Sequence, residues 1–166
     1  MTMDTAILTQ PGYELRARIE ALYYDYAAVL DDKEFARWPD LFTEDCFYRV
    51  TSRENIELGL PLGIILAESR GMLRDRVVAL LETSMYVPRR VRHFITNIRI
   101  FDPEATGIRV RANFSVHQTL PDQETGMYLS GEYQDRLVEQ GGRLLFAEKL
   151  CIHDATVVPI SLVYPL

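Results

Sequence analysis

"IRVRANFSVH", residues 108–117, alternates without a break. Ile108, Val110, Ala112, Phe114 and Val116 are apolar, while Arg109, Arg111, Asn113, Ser115 and His117 are polar. Successive side chains of a strand point to opposite faces, so this period of two predicts a strand with one dry and one wet face. Outward from it the pattern repeats. Toward the C-terminus, "LPDQETG" turns the chain into "MYLSGEYQDRLVE", and "QGG" turns it into "RLLFAEKLCIHD". Toward the N-terminus, the turn "DPEATG" leads back to "RHFITNIRIF". Short turns rich in Gly and Pro between long strands predict an antiparallel, strongly curved sheet.

Earlier in the chain the period changes. Leu15, Ile19, Leu22, Tyr26 and Val29 are spaced by four and three residues, the stripe of a helix. "EFARWPDLF" reads as a short second helix bent by Pro39, and "CFYRV" as a short strand. "ENIELGLPLG", broken by Gly59, Pro61 and Gly63, reads as irregular. A further helix follows Glu68, with Leu73, Val77, Leu80 and Leu81 on one side, ending before Pro88. Helices followed by a run of strands give an α+β domain, helices on one face of a curled sheet. Such a cone encloses a hollow that is either a ligand pocket or a filled core.

The chain has 166 residues, 48% hydrophobic and 25% charged, and is read as a single domain over 1–166. A net charge of −6 speaks against a phosphate-binding surface and so against nucleic acid as a partner. No apolar run approaches a membrane span, and "MTMDTAILTQPGYE" has no basic segment followed by an apolar one, so a cytoplasmic protein is expected. Its two cysteines, Cys46 and Cys151, are expected as thiols. Glycines occur, but no G-x-G-x-x-G follows a strand, which leaves a nucleotide cofactor unsupported.

Three constellations compete for chemistry. "CIHD" (151–154) sets Cys151 and His153 on one strand face, and its spacing is half of a Rieske ligand set. The only other cysteine has no histidine after it, and two ligands cannot hold a two-iron cluster. A mononuclear iron needs two histidines and a carboxylate. His93, His117 and His153 fall on three predicted strands with no shared spacing. A metal-free acid–base site would use the hollow, with Tyr24 and Asp25 from the first helix and His93 from a strand. Against it, Asp25 lies off the apolar stripe and Tyr26 on it. No catalytic or metal-binding residue is assigned in this chain.

"RRVRHFITNIRI" (89–100) is the most informative stretch. Arg90, Arg92 and His93 crowd cationic donors at a strand start, and guanidinium groups at this density find carboxylates within the domain or across an interface. The pattern of Arg90, Arg92, His93, Asn97 and Ile98 resembles the small (β) subunits of aromatic-ring-hydroxylating dioxygenases. "YDYAAVLDDKEFARWPDLFTEDCFYRV", "MLRDRV", "SGEYQDRLV" and "LLFAEKLCIHDATVV" resemble the same family in the same order, from about Leu15 to the C-terminus. "RENIELGLPL", "AESRGMLRDRV" and "SLVYPL" look most like its salicylate- and terephthalate-type branch.

The resemblance implies the cystatin-like cone shared with nuclear transport factor 2, ketosteroid isomerase and scytalone dehydratase. It also implies a non-catalytic structural subunit that trimerises and holds large α subunits, commonly as three α and three β chains. The α subunits would carry the Rieske [2Fe–2S] cluster and the mononuclear iron, fed from NAD(P)H through a reductase. This chain would carry no cofactor. Arg90, Arg92 and His93 with the aromatic Trp38 and Tyr164 are the expected assembly residues, because Arg and aromatic side chains dominate interface energetics. A free-standing dehydratase or isomerase using Tyr24, Asp25 and His93 is the rival reading.

Overall fold

A computed structural model describes residues 10–101, 105–158 and 162–166. The first nine residues, which carried the expectation of no export leader, and residues 102–104 and 159–161 lie outside the described residues. The chain begins with α1 (Gln10–Asp31) and a 3-10 helix (Phe35–Leu41), followed by β1 (Phe42–Ser52) and a one-turn α2 (Arg53–Glu57). Next come β2 (Ile65–Ala67), α3 (Arg70–Val78) with a π turn over Ala79–Thr83, and four long strands. These are β3 (Arg90–Ile100), β4 (Ile108–Thr119), β5 (Gly126–Gln140) and β6 (Arg143–His153). They form one six-stranded sheet in the order β2-β1-β6-β5-β4-β3. Every pairing is antiparallel except β1 with β6. Among the described residues no helix is long and apolar enough to cross a membrane.

The period-two stretch behaves as its sequence dictates. Val110, Ala112, Phe114 and Val116 are buried, while Arg109, Arg111 and Asn113 are exposed. The α1 stripe buries Ile19, Leu22, Tyr23, Tyr26, Val29 and Leu30. Curvature enters where pairing slips. Register shifts fall between Thr96 and Arg99 on β3, Val116 and His117 on β4, and Arg136 and Leu137 on β5. An extra residue on one strand bends it and sharpens its twist. At the first of these, Asn97 adopts φ 55°, a left-handed backbone that Asn tolerates better than most residues. The bent sheet wraps α1 and closes over an aromatic core. Tyr23 and Tyr26 meet Phe146 edge-on at 5.6 and 5.5 Å, and Phe114 stacks on Tyr133 at 4.5 Å.

Three details differ from the sequence reading. Residues 53–57 are helical, because the Ser52 side chain accepts the Asn55 N–H and caps the turn. β2 has three residues, too few for a period to show. Leu81 is exposed while Leu73, Val77 and Leu80 are buried. The helical repeat gives way to a wider π turn at Ala79, so the four positions do not share one face.

Candidate functional site

The arginine-rich start of β3 sits against the end of α1. Alternation sends Val91 and His93 inward and Arg90 and Arg92 outward. Asp31, in the last turn of α1, accepts the His93 backbone N–H through both carboxylate oxygens at 3.1 Å. It also accepts from His93 Nδ1 at 2.7 Å, which fixes the ring tautomer with Nδ1 as donor. His93 Nε2 is buried with no hydrogen-bond partner. This pair staples helix to strand. Outside it, Arg92 reaches Asp31 only at 3.9 Å and its side chain is 63% exposed. Arg90 is exposed and holds no ion pair among the described residues. Together with Lys33, Thr119 and Pro121 these arginines line an open groove of about 640 Å³ at the rim of the cone.

Of the five expected assembly residues, only Arg90 and Arg92 present their charge to solvent. His93 is inside, turned to Asp31. Trp38 is fully buried, edge-on to Tyr48 at 5.1 Å and Phe42 at 5.7 Å. Tyr164 is 4% exposed, against Phe35 at 5.0 Å and Tyr86 at 5.4 Å. Both aromatic rings are spent on this chain's own core, which corrects their assignment to an interface. The rival acid–base set also disperses. Tyr24 and Asp25 are exposed on the outer side of α1, whereas His93 lies inside the cone.

The interior holds a different polar group. Lys149 and Asp135 are fully buried and paired, Nζ to Oδ2 at 2.9 Å. The ammonium lies 3.5 Å from the Tyr133 ring centroid and 4.5 Å from those of Tyr26 and Phe146. The Tyr23 hydroxyl donates to the same Asp135 oxygen. Burial pushes the Asp135 carboxyl above the usual carboxylate range, with the Lys149 charge pulling the other way. Desolvation likewise holds Tyr23, Tyr26, Tyr48 and Tyr133 well above their ordinary value, so these phenols stay neutral. Sequence reasoning missed the pair. Its signal was available, since Lys149 shares a strand face with Cys151 and His153, and Asp135 shares one with Tyr133.

Part of the hollow is taken by the chain itself. The main chain of Leu166 enters it: its oxygen accepts from the Tyr26 and Tyr48 hydroxyls and from Cys151 Sγ, and its N–H donates to Tyr48. Cys151 is a buried thiol pushed up to about 12, and Cys46 one pushed up to about 11. Neither offers a thiolate to a metal. The side chains present do not fit a Rieske cluster or a facial triad. Among the described residues no group of three or more His, Cys, Asp or Glu is placed to hold a metal ion. His93 points inward. His117, opposite Arg92 in the ladder, points outward beside the Phe94 ring. His153 is on β6, with β5 and β4 between it and His93, and its Nδ1 donates to the Ala155 carbonyl at 2.9 Å.

His153 has a measurable consequence. Burial pushes its imidazole below the ordinary 6.5, to which it returns on unfolding. Between the two values the unfolded chain binds more protons, so stability falls as the pH drops below 6.5. Thermal melts from about pH 7.5 to about pH 5 should show a shallower acid slope for His153→Asn than for the parent. Parallel slopes would mean that the folded ring is not held neutral.

The comparisons with known proteins agree with this layout. The profile of the family described as ring hydroxylating beta subunit matches residues 26–159. The anthranilate 1,2-dioxygenase small subunit of Burkholderia cepacia is 36% identical over 85% of this chain and 88% of its own length. The terephthalate 1,2-dioxygenase terminal oxygenase component subunit beta 1 of a Comamonas species is 36% identical over 90% of this chain and 97% of its own. Among solved structures, the β subunit assigned to an aromatic-ring-hydroxylating dioxygenase of Novosphingobium aromaticivorans superposes with a TM-score of 0.86. It is 34% identical, covering 95% of this chain and 100% of that one.

Proposed function

This chain belongs to the ring hydroxylating beta subunit family, and on that premise we propose that it works as the scaffold beneath an iron-bearing large subunit. It is a structural subunit of an aromatic-ring-hydroxylating oxygenase and contributes to oxidoreduction as part of that complex. The observation that carries the scaffold reading is the packed aromatic interior. The cone packs its own aromatic side chains and Leu166 inside, and among the described residues no three or more His, Cys, Asp or Glu side chains come together. The large subunit supplies the Rieske cluster and the mononuclear iron, with electrons from NAD(P)H by way of a reductase. Three copies of each chain form the assembly, in the cytoplasm. The names of the anthranilate and terephthalate relatives favour a carboxylated aromatic substrate.

Co-expression with its large subunit tests this. The two chains should copurify as one particle of three and three that oxygenates an aromatic carboxylate once reductase and NAD(P)H are added. The small chain alone should be inactive and contain no stoichiometric iron. Asp25→Ala should leave turnover within about three-fold, whereas a general base in the cone would lose at least about 10²-fold. Turnover by the isolated small chain would overturn the reading.

A further inference from the structure

Residues 162–166 belong to no helix or strand, yet Tyr164, Pro165 and Leu166 are buried. No ladder pairing includes them. Side chains from five elements hold them instead. Tyr26 of α1, Tyr48 of β1 and Cys151 of β6 all donate to the Leu166 carbonyl oxygen, the last two at 3.2 Å. The Leu166 N–H donates back to the Tyr48 hydroxyl at 3.0 Å. Arg76 of α3 donates to the Val163 carbonyl at 3.2 Å. The Tyr164 ring lies against Phe35 of the 3-10 helix and against Tyr86, with the Arg89 guanidinium 6.0 Å from its centroid.

Helices and strands satisfy their own backbone groups, whereas here the wall of the cone satisfies them, as a receptor does for a bound peptide. The donors are positioned without help from the segment. Tyr48 and Cys151 stand on paired strands, and Tyr26 lies on the buried stripe of α1. Tyr133, directly across the ladder from Cys151, adds a buried hydroxyl with no partner, and Arg76 Nε is another such donor. The wall therefore offers more donors than the segment uses. Withdrawing the segment would strand three further donors away from water, and a ligand oxygen would relieve them.

We infer that the inner wall of the cone is a binding site for a short hydrophobic peptide. Residues 162–166 occupy it in cis, as a plug that leaves without unfolding the domain. The ligand class follows from what is held: an acyl oxygen and its own residue's N–H set among phenols, an aliphatic side chain in the core, and an aromatic ring two residues before it. A segment outside the ladder, tied down by side chains alone, belongs to the part of a fold that opens locally.

Cys151 reports departure of the plug, because its thiol is bonded to Leu166, and Cys46, the other buried thiol, reports opening of the rest. Burial holds both thiols protonated and inert until they are uncovered. The full-length chain is pulsed with N-ethylmaleimide under native conditions, and modification of each cysteine is quantified by mass spectrometry. In the parent, Cys151 should react at least about ten times faster than Cys46, and low denaturant should barely accelerate it, since local opening exposes little surface. Leu166→Asp, which sets a charge in the core, should speed Cys151 at least about tenfold more and leave Cys46 unchanged. Leu166→Ala, which loosens the plug without charging it, should move Cys151 in the same direction. Excess free peptide of the sequence of residues 162–166 should restore protection to Cys151 in both variants, and a scrambled peptide should not. Equal modification of the two thiols in the parent and in Leu166→Ala would mean that the segment leaves only with the whole fold, which overturns the plug. Failure of the peptide to protect, or equal protection by the scrambled one, would overturn the site. Failure to copurify with the large subunit would sink the scaffold reading and leave these thiol rates standing.

Discussion

Lys149→Met should lower the stability of this chain by about 3–5 kcal/mol, the usual penalty for removing one member of a buried ion pair. For a domain of this size that corresponds to a fall in Tm of roughly 6–20 °C. The loss does not come from the attraction between the two charges alone. Both side chains are fully excluded from water, so removal of the ammonium strands the Asp135 carboxylate among Tyr23, Tyr133 and Phe146. Three aromatic faces within 4.5 Å of the ammonium lose a cation as well. Two further measurements isolate the mechanism. In Lys149→Met the Asp135 carboxyl, already raised by burial, rises further, so the folded chain binds more protons than the unfolded one. The deficit relative to the parent should therefore shrink as the pH is lowered toward 5 and grow as it is raised. Adding Asp135→Leu should recover most of the loss, since a pair replaced by apolar groups of similar size is tolerated far better than a pair broken. A single variant that melts with the parent at neutral pH would show that the ammonium is not what neutralises Asp135.

The same residues mark where sequence reading reached and where it stopped. Residues 108–117 and the α1 stripe are legible because each obeys a period set by backbone geometry, and burial follows that period. The register slips at Asn97, Val116 and Arg136 break it, and with it the means of reading which groups converge inside the cone. Lys149 looks like a surface lysine until the strand is placed against Asp135, fourteen residues earlier, across a ladder whose register the sequence does not state. Trp38 and Tyr164 fail for another reason. Large aromatic side chains suit an interface and a core equally well, and only packing against Phe42, Tyr48, Phe35 and Tyr86 decides between them. The exposure of Arg90 and Arg92 is simpler to read, because a guanidinium without a nearby carboxylate stays at the surface.

That difference leads to the remaining large effect. Arg90→Glu combined with Arg92→Glu should weaken entry into the oxygenase complex at least about 10²-fold, equivalent to roughly 2.7 kcal/mol. The rim holds two outward-facing guanidiniums at the start of a strand; among the described residues Arg90 holds no ion pair, and Arg92 comes only within 3.9 Å of Asp31. Exposed side chains of this kind contribute little to the fold of the isolated subunit. The double variant should therefore melt within about 3 °C of the parent, while the copurified particle dissociates at protein concentrations where the parent stays whole. Asp31→Asn is the internal control. It weakens the staple to His93, so it should reduce Tm while leaving Arg90 and Arg92 free to engage a partner. Opposite responses in the two variants separate a contact surface from a folding element. Arginine at this rim acts between chains if charge reversal abolishes assembly at unchanged stability. Normal assembly of the double variant at low-micromolar concentration would assign both side chains to solvent.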